Sequence, residues 1–184
     1  MQKPKNANDL KTNQKLLILG LGNPKIDLSM TYHNIGILFV DFLGNNISWK
    51  TKNKFSYCQL KDLILAKSNE YMNNSGLAAL EVLTFFKIKP ENLILVHDDA
   101  DLYLGTYKIQ LGKNAAGHNG VSSVINTLQT KNFWRVRIGI RPPKLKTKAE
   151  NLVLKKISLS HWKIFEELFP KIKLNLEILF KTKI

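Results

Sequence analysis

A chain of 184 residues, 44% of them hydrophobic, is long enough for one domain with a substantial core. Its 28 Lys and Arg against 14 Asp and Glu give a formal charge of +14, which suits a polyanionic partner, nucleic acid before an anionic membrane surface, or else a lysine-rich composition that merely solvates the surface. One cysteine, Cys58, excludes an intrachain disulfide and fits a reducing compartment; no run approaches a membrane span, and residues 1–14 lack the apolar stretch of a secretory signal and read as a mobile tail.

Residues 15–19 read as a first strand that breaks into Gly20, Gly22, Asn23 and Pro24, and from His33 the apolar Ile35, Leu38, Phe39 and Phe42 repeat at helical spacing. Residues 55–60 and 63–66, parted by Lys61 and Asp62, predict a β-hairpin. An asparagine-rich segment, 68–76, runs into a helix with Ala79, Val82, Leu83 and Phe86 on one face, stopped by Pro90. A short buried strand over 93–96 delivers HDDAD at its carboxyl end, and 107–111 is another strand. GKNAAGHNG then opens a helix carrying Val121, Val124, Ile125 and Leu128. The strand 134–140 ends at Pro142 and Pro143, 144–150 is a charged loop, and 159–184 reads as one or two amphipathic helices interrupted at Pro170. Strands alternating with helices predict an α/β fold, and the hairpin a mixed sheet.

Five segments bring a polar side chain to a strand's carboxyl end or a helix start: Asn23, His33, Asn73, Asp98 and Asn119. Open α/β sheets bind their ligands at that edge. The set has no serine elbow, Cys58 lies within the hairpin, and His33, His97, His118 and His161 fall at no recognised metal-ligand spacing. What remains is an imidazole acting on water, held by a carboxylate, with neutral amides suited to a peptide unit. Taken singly, each residue has a plainer reading. GLGNP can be a tight turn, and Lys25 breaks the dinucleotide fingerprint. His33 can bond locally at a helix start, Asn73, Asn74 or Ser75 can cap a helix, Asn119 can be another cap, and the acids can sit in a surface turn or bind a cation. The only arginines, Arg135, Arg137 and Arg141, cluster in one stretch; Arg135 and Arg137 share a strand face, which suits a phosphate clamp.

Taken together, LILGLGNP with TYHNIG, then YMNNSG, LVHDDADLYLG, and GHNG with FWRVRIGIRPP occur in order over residues 17–143, and NLVLKKIS follows from Asn151. In these motifs the chain closely resembles bacterial peptidyl-tRNA hydrolases. The resemblance implies a single domain over 15–184 with a twisted mixed sheet flanked by helices and a C-terminal helical segment. It further implies a cytoplasmic monomer that needs no cofactor or metal, has no membrane partner, and cleaves the ester between a peptide and tRNA. By the same resemblance, His33 is the base that activates water and Asp98 its orienting carboxylate, with Asn23 in the catalytic set. Asn23 and Asn73 grip the peptide, Asn119 positions substrate or water, and Lys113 and Arg137 hold tRNA phosphate at the acceptor end. The chain departs from the pattern at Leu28 and Tyr71 in the peptide cleft, at Lys25 and Tyr32, and at Gln110, where a phosphate-binding lysine is usual.

Overall fold

In chain order the elements are β1 (Leu16–Gly20), α1 (Ile35–Leu43), β2 (Lys50–Thr51), β3 (Phe55–Leu60), β4 (Leu63–Ser68), α2 (Ser75–Phe86), β5 (Leu93–Tyr103), β6 (Tyr107–Leu111), α3 (Asn119–Leu128), β7 (Trp134–Arg141), α4 (Ala149–Val153) and α5 (Leu159–Phe180). The structure is a computed structural model that describes residues 15–143 and 149–184, so the tail expected over 1–14 and most of the charged loop expected over 144–150 lie outside the described residues. Among the described residues seven strands form one sheet in the order β2-β3-β4-β1-β5-β7-β6. Its centre, β4-β1-β5-β7, is parallel, while β2, β3 and β6 pair antiparallel at the edges. This is the mixed α/β sheet expected from the alternation of elements and from the hairpin.

All five residues of β1 are buried, as a continuous apolar run in the middle of a covered sheet requires. One face carries a core in which Ile35, Phe39 and Val40 of α1 meet Phe165, Phe169 and Ile172 of α5; the other packs Ala79 and Val82 of α2 and Val121 and Val124 of α3 against β1, β4 and β5. The glycines of the opening motif serve this packing. A Cβ at Gly20 would lie 2.4 Å from the Gly36 carbonyl oxygen, and one at Gly36 would lie 2.3 Å from that of Val96. Their absence lets the first turn of α1 rest directly on the carboxyl ends of β1 and β5, where Leu21 N–H donates to Val96 O at 3.0 Å and Ile37 N–H to Leu21 O at 3.2 Å.

Two elements differ from expectation. The strand expected over 93–96 continues to Tyr103, so the acidic cluster lies within β5, with Asp98 and Asp99 paired to Ile138 and Gly139 of β7. Charge does not end the strand because both carboxylates find cationic or N–H partners. The C-terminal helix is likewise unbroken: α5 runs for 22 residues with Pro170 inside it and exposed. An internal proline costs about 3 kcal/mol. Leu168, Phe169 and Ile172 on either side of it are buried, and Phe169 packs edge-on to Phe39 at 5.2 Å, so tertiary packing holds the helix through the break. No helix among the described residues is long and apolar enough to cross a membrane.

Candidate active site

His33 stands on a short 3-10 turn, Tyr32–Asn34, immediately before α1. The turn is tied from outside by the segment that leads into α5: Tyr32 N–H donates to Lys155 O at 3.2 Å, Ile157 N–H to Met30 O at 2.8 Å, and the Tyr32 hydroxyl bonds His161 Nδ1. Tyr32, a departure from the family pattern, is buried and has found a partner on the C-terminal helix.

Across from the turn, β5 delivers Asp98, which is 1% exposed. His33 Nδ1 donates to Asp98 Oδ1 at 2.8 Å, and His118 Nε2 donates to the same oxygen at 2.9 Å. His118 is the N-cap of α3. Its Nδ1 accepts the Val121 N–H at 3.3 Å, which fixes the proton on Nε2 and aims it at the carboxylate. Burial by itself would raise the Asp98 carboxyl. Favourable electrostatics and hydrogen bonding from His118, and then from His33, outweigh it and hold Asp98 far below the ordinary carboxylate range. With Asp98 ionised and Nδ1 of His33 committed as donor, Nε2 of His33 is left as the basic nitrogen. A third imidazole, His97, lies against His118 with ring centres 4.7 Å apart and donates Nδ1–H to the Asp98 carbonyl at 2.6 Å. Burial, followed by unfavourable electrostatics with the neighbouring His118, keeps His97 neutral, with a pKa well below the usual histidine value.

His118 is the residue that sequence reading missed. The histidines occur at no ligand spacing along the chain, and only the fold brings His33 and His118 to one carboxylate. The available signal was local: a histidine directly before Asn119, at a helix start. The atoms His33 Nδ1, Asp98 Oδ1 and His118 Nε2 lie within 4.8 Å of one another, which is the spacing of a metal cluster. Both imidazole nitrogens, however, already donate N–H to Asp98, and the cap on His118 fixes that tautomer, so the donor set is that of a hydrogen-bonded relay.

The network opens into a cavity of about 260 Å³ lined by His33, Asp98, Asp101, Gly117, His118 and Asn119. Asn119 is the first residue of α3, exposed rather than capping, since His118 takes the cap. Asn23 is nearly buried and its Oδ1 accepts the Met72 N–H at 3.0 Å, which leaves its amide NH2 as the donor available to a ligand. The same bond clasps the Asn23 loop to the 3-10 turn Met72–Asn74, on which Asn73 is exposed. Tyr71, 47% exposed, carries the Lys25 ammonium 5.7 Å from its ring centre, while Leu28 is half-buried.

The arginines divide. Arg137 donates through Nε to Asp99 Oδ2 and through Nη1 to Gln110 Oε1 at 2.8 Å. Arg135 shares its strand face but is 1% exposed, beneath the surface, so the two-arginine clamp expected from their spacing is not available to a ligand. Periodicity gives the face, and depth within the sheet decides burial. Lys113 is exposed on the loop between β6 and α3.

The family model for peptidyl-tRNA hydrolase matches residues 17–184. Peptidyl-tRNA hydrolase of Mycoplasmopsis synoviae is 40% identical over 153 residues, 82% of this chain and 81% of that protein, and the one from Thermotoga petrophila is 38% identical over 168 residues, 89% and 90% of the two. The crystal structure of peptidyl-tRNA hydrolase from Acinetobacter baumannii superposes with a TM-score of 0.79 at 27% identity, covering 91% of this chain and 89% of that one. Motifs, fold and similarity over most of the chain agree: this chain belongs to the peptidyl-tRNA hydrolase family.

Proposed function

We propose that this chain hydrolyses the ester joining a peptide's C-terminal carbonyl to the ribose at the tRNA 3′ end, releasing free peptide and tRNA, as a cytoplasmic monomer that recycles peptidyl-tRNA. The observation that carries the reading is the bond from His33 Nδ1 to a buried, ionised Asp98 that His118 also holds. A histidine fixed in this way presents Nε2 to a water molecule as a base, and such help is worth roughly 10² to 10⁴ in rate. Nε2 takes a proton as the water oxygen attacks the ester carbonyl. The tetrahedral adduct then collapses, the C–O bond to the ribose breaks, and the leaving oxygen recovers the proton from His33. Asp98 stays ionised throughout and stabilises the transient imidazolium.

The NH2 of Asn23 supplies a hydrogen bond to the peptide carbonyl, with Asn73 and Asn119 completing a set of neutral amides suited to a blocked peptide rather than a free amine. Leu28 and Tyr71 border the peptide, and Lys113 and Arg137 hold phosphate of the acceptor end. Phosphate contacts of this kind add affinity with little sequence preference, since A-form stems are met through shape and backbone. The deciding experiment compares hydrolysis of a blocked aminoacyl-tRNA with its free-amine counterpart, wild type beside His33→Ala. Rapid release from the blocked substrate alone, lost in His33→Ala with tRNA binding retained, supports the reading; turnover by His33→Ala removes His33 from its role.

A further inference from the structure

Asn34 lies between the base and the helix that follows it, 2% exposed. Its amide faces the main chain of Asn23 and bonds it twice: Oδ1 accepts the Asn23 N–H at 2.8 Å, and Nδ2 donates to the Asn23 carbonyl at 2.9 Å. A primary amide offers one acceptor and two donors, so it can answer a residue's N–H and C=O together as a neighbouring strand would. Asn23 follows the end of β1 and stands in a loop, yet through Asn34 it has the backbone pairing of a sheet residue. The reversed amide would set donor against donor, so the contact also fixes the orientation of Asn34.

The surroundings are shaped for this contact. A Cβ on Gly22 would lie 3.0 Å from Asn34 Cγ and Oδ1 and 2.5 Å from Ile37 Cδ1, so the glycine beside Asn23 leaves the room in which the amide lies. On its other side Asn23 is held by its own Oδ1, which takes the Met72 N–H at 3.0 Å. Asn23 is thus gripped twice through its main chain and once through its side chain, and the main-chain grip comes from the residue next to His33.

We infer that Asn34 is a positioning residue for the reaction: it sets the Asn23 amide at a fixed place relative to His33, so that the group contacting the peptide and the group activating water move as one unit. This rests on the reading of Asn23 as a substrate contact. A buried amide that only stabilised the loop would affect melting temperature and leave the folded enzyme's turnover alone. Misplacing a substrate-positioning group by about 1 Å can cost about 10²-fold in rate.

The test is a double-mutant cycle on kcat/KM for a blocked aminoacyl-tRNA, with folding of each variant checked by circular dichroism. Asn34→Asp keeps the acceptor for Asn23 N–H and loses the donor to its carbonyl. It lowers kcat/KM about tenfold or more. In an Asn23→Ala background, which keeps the backbone groups but lacks the positioned amide, the same change costs less than about twofold. Equal losses in both backgrounds, or wild-type kcat/KM in folded Asn34→Asp, overturn the inference. Should Asn34→Asp fail to fold, Gly22→Ala displaces the same amide without altering it and is read through the same cycle. The single variant Asn23→Ala tests the underlying reading separately: if it turns over like wild type, Asn23 is no substrate contact, whatever Asn34 does.

Discussion

Asp98 and Asp99 are neighbours on β5, and the two-residue alternation of a strand sends them to opposite sides of the sheet. Asp98 meets two imidazoles, His33 and His118, whose charge depends on protonation. Asp99 meets the guanidinium of Arg137, which is charged at every working pH, and its Oδ1 also accepts the Asp101 N–H at 2.9 Å. The first carboxylate therefore holds groups that can pass a proton, and the second holds a cation in place. The same residue type on one strand thus meets imidazoles at one position and a guanidinium at the next, and the partner distinguishes them.

Neutralising each carboxylate in turn separates the two positions. Asp98→Asn leaves a neutral amide oxygen in place of the shared carboxylate oxygen, so His33 loses the ionised partner that holds its tautomer and its imidazolium. Single-turnover hydrolysis is expected to fall by roughly 10² to 10⁴ with an altered pH-rate profile. Asp99→Asn, one residue away, is expected to leave the single-turnover rate of the folded variant within about twofold, because Asp99 bonds Arg137 and the Asp101 N–H and neither imidazole. Similar losses for the two would show that the division between them is not functional. His118→Ala comes next. It deletes one charge-assisted hydrogen bond to Asp98 while leaving the one from His33, and such a bond is worth about 1.5–3 kcal/mol, which corresponds to roughly 10- to 150-fold in rate. A rate unchanged in His118→Ala would reduce His118 to a helix cap.

On the other side of the sheet, Arg137→Gln is expected to raise KM for the tRNA substrate several-fold with kcat little changed. The slope of log binding constant against log salt should shrink by about 0.9 for each phosphate that the variant leaves unneutralised. An unaltered slope would mean that Arg137 serves Asp99 and Gln110 alone and that the phosphate is held elsewhere, with exposed Lys113 the next residue to test.

How far these roles were legible in the sequence follows from which partners are local. The apolar run of β1, the hairpin of β3 and β4, and the helical spacing from Ile35 rest on neighbours along the chain, and each stands where the pattern predicted it. The end of β5 was not legible, because two aspartates in a row read as a loop until His33, His118 and Arg137 arrive from 65, 20 and 38 residues away. Arg135 misled for a related reason: its charge argued for the surface, and nothing local encodes its depth within the sheet. His118 and Asn34 were both written inside recognised motifs, beside Asn119 and His33. Their roles are nevertheless contacts with residues 20 and 11 positions distant, and no spacing rule connects them.

The smallest expected effect concerns the third imidazole and separates stability from catalysis. His97 is 2% exposed, and its buried Nε2 has no hydrogen-bond partner among the described residues. Its pKa in the folded protein lies well below the usual 6.5, first through burial and then through His118. In the unfolded chain the same group takes up a proton as pH falls below that usual value, whereas the folded protein resists it. Its contribution to stability is therefore complete above about pH 6.5 and declines as the solution is acidified toward the folded pKa. The depressed Asp98 carboxyl acts in a lower window, since its contribution is kept until pH drops below the ordinary carboxylate range. Melting temperatures between pH 7.5 and 5 thus exclude Asp98, and the difference between wild type and His97→Asn over that window reports this histidine. The wild type should lose a few degrees more than His97→Asn across that interval, because Asn can still donate to the Asp98 carbonyl and carries no titrating group. A constant offset between the two curves reflects the altered volume and is of no consequence; parallel slopes would mean that His97 takes its proton as freely in the fold as outside it.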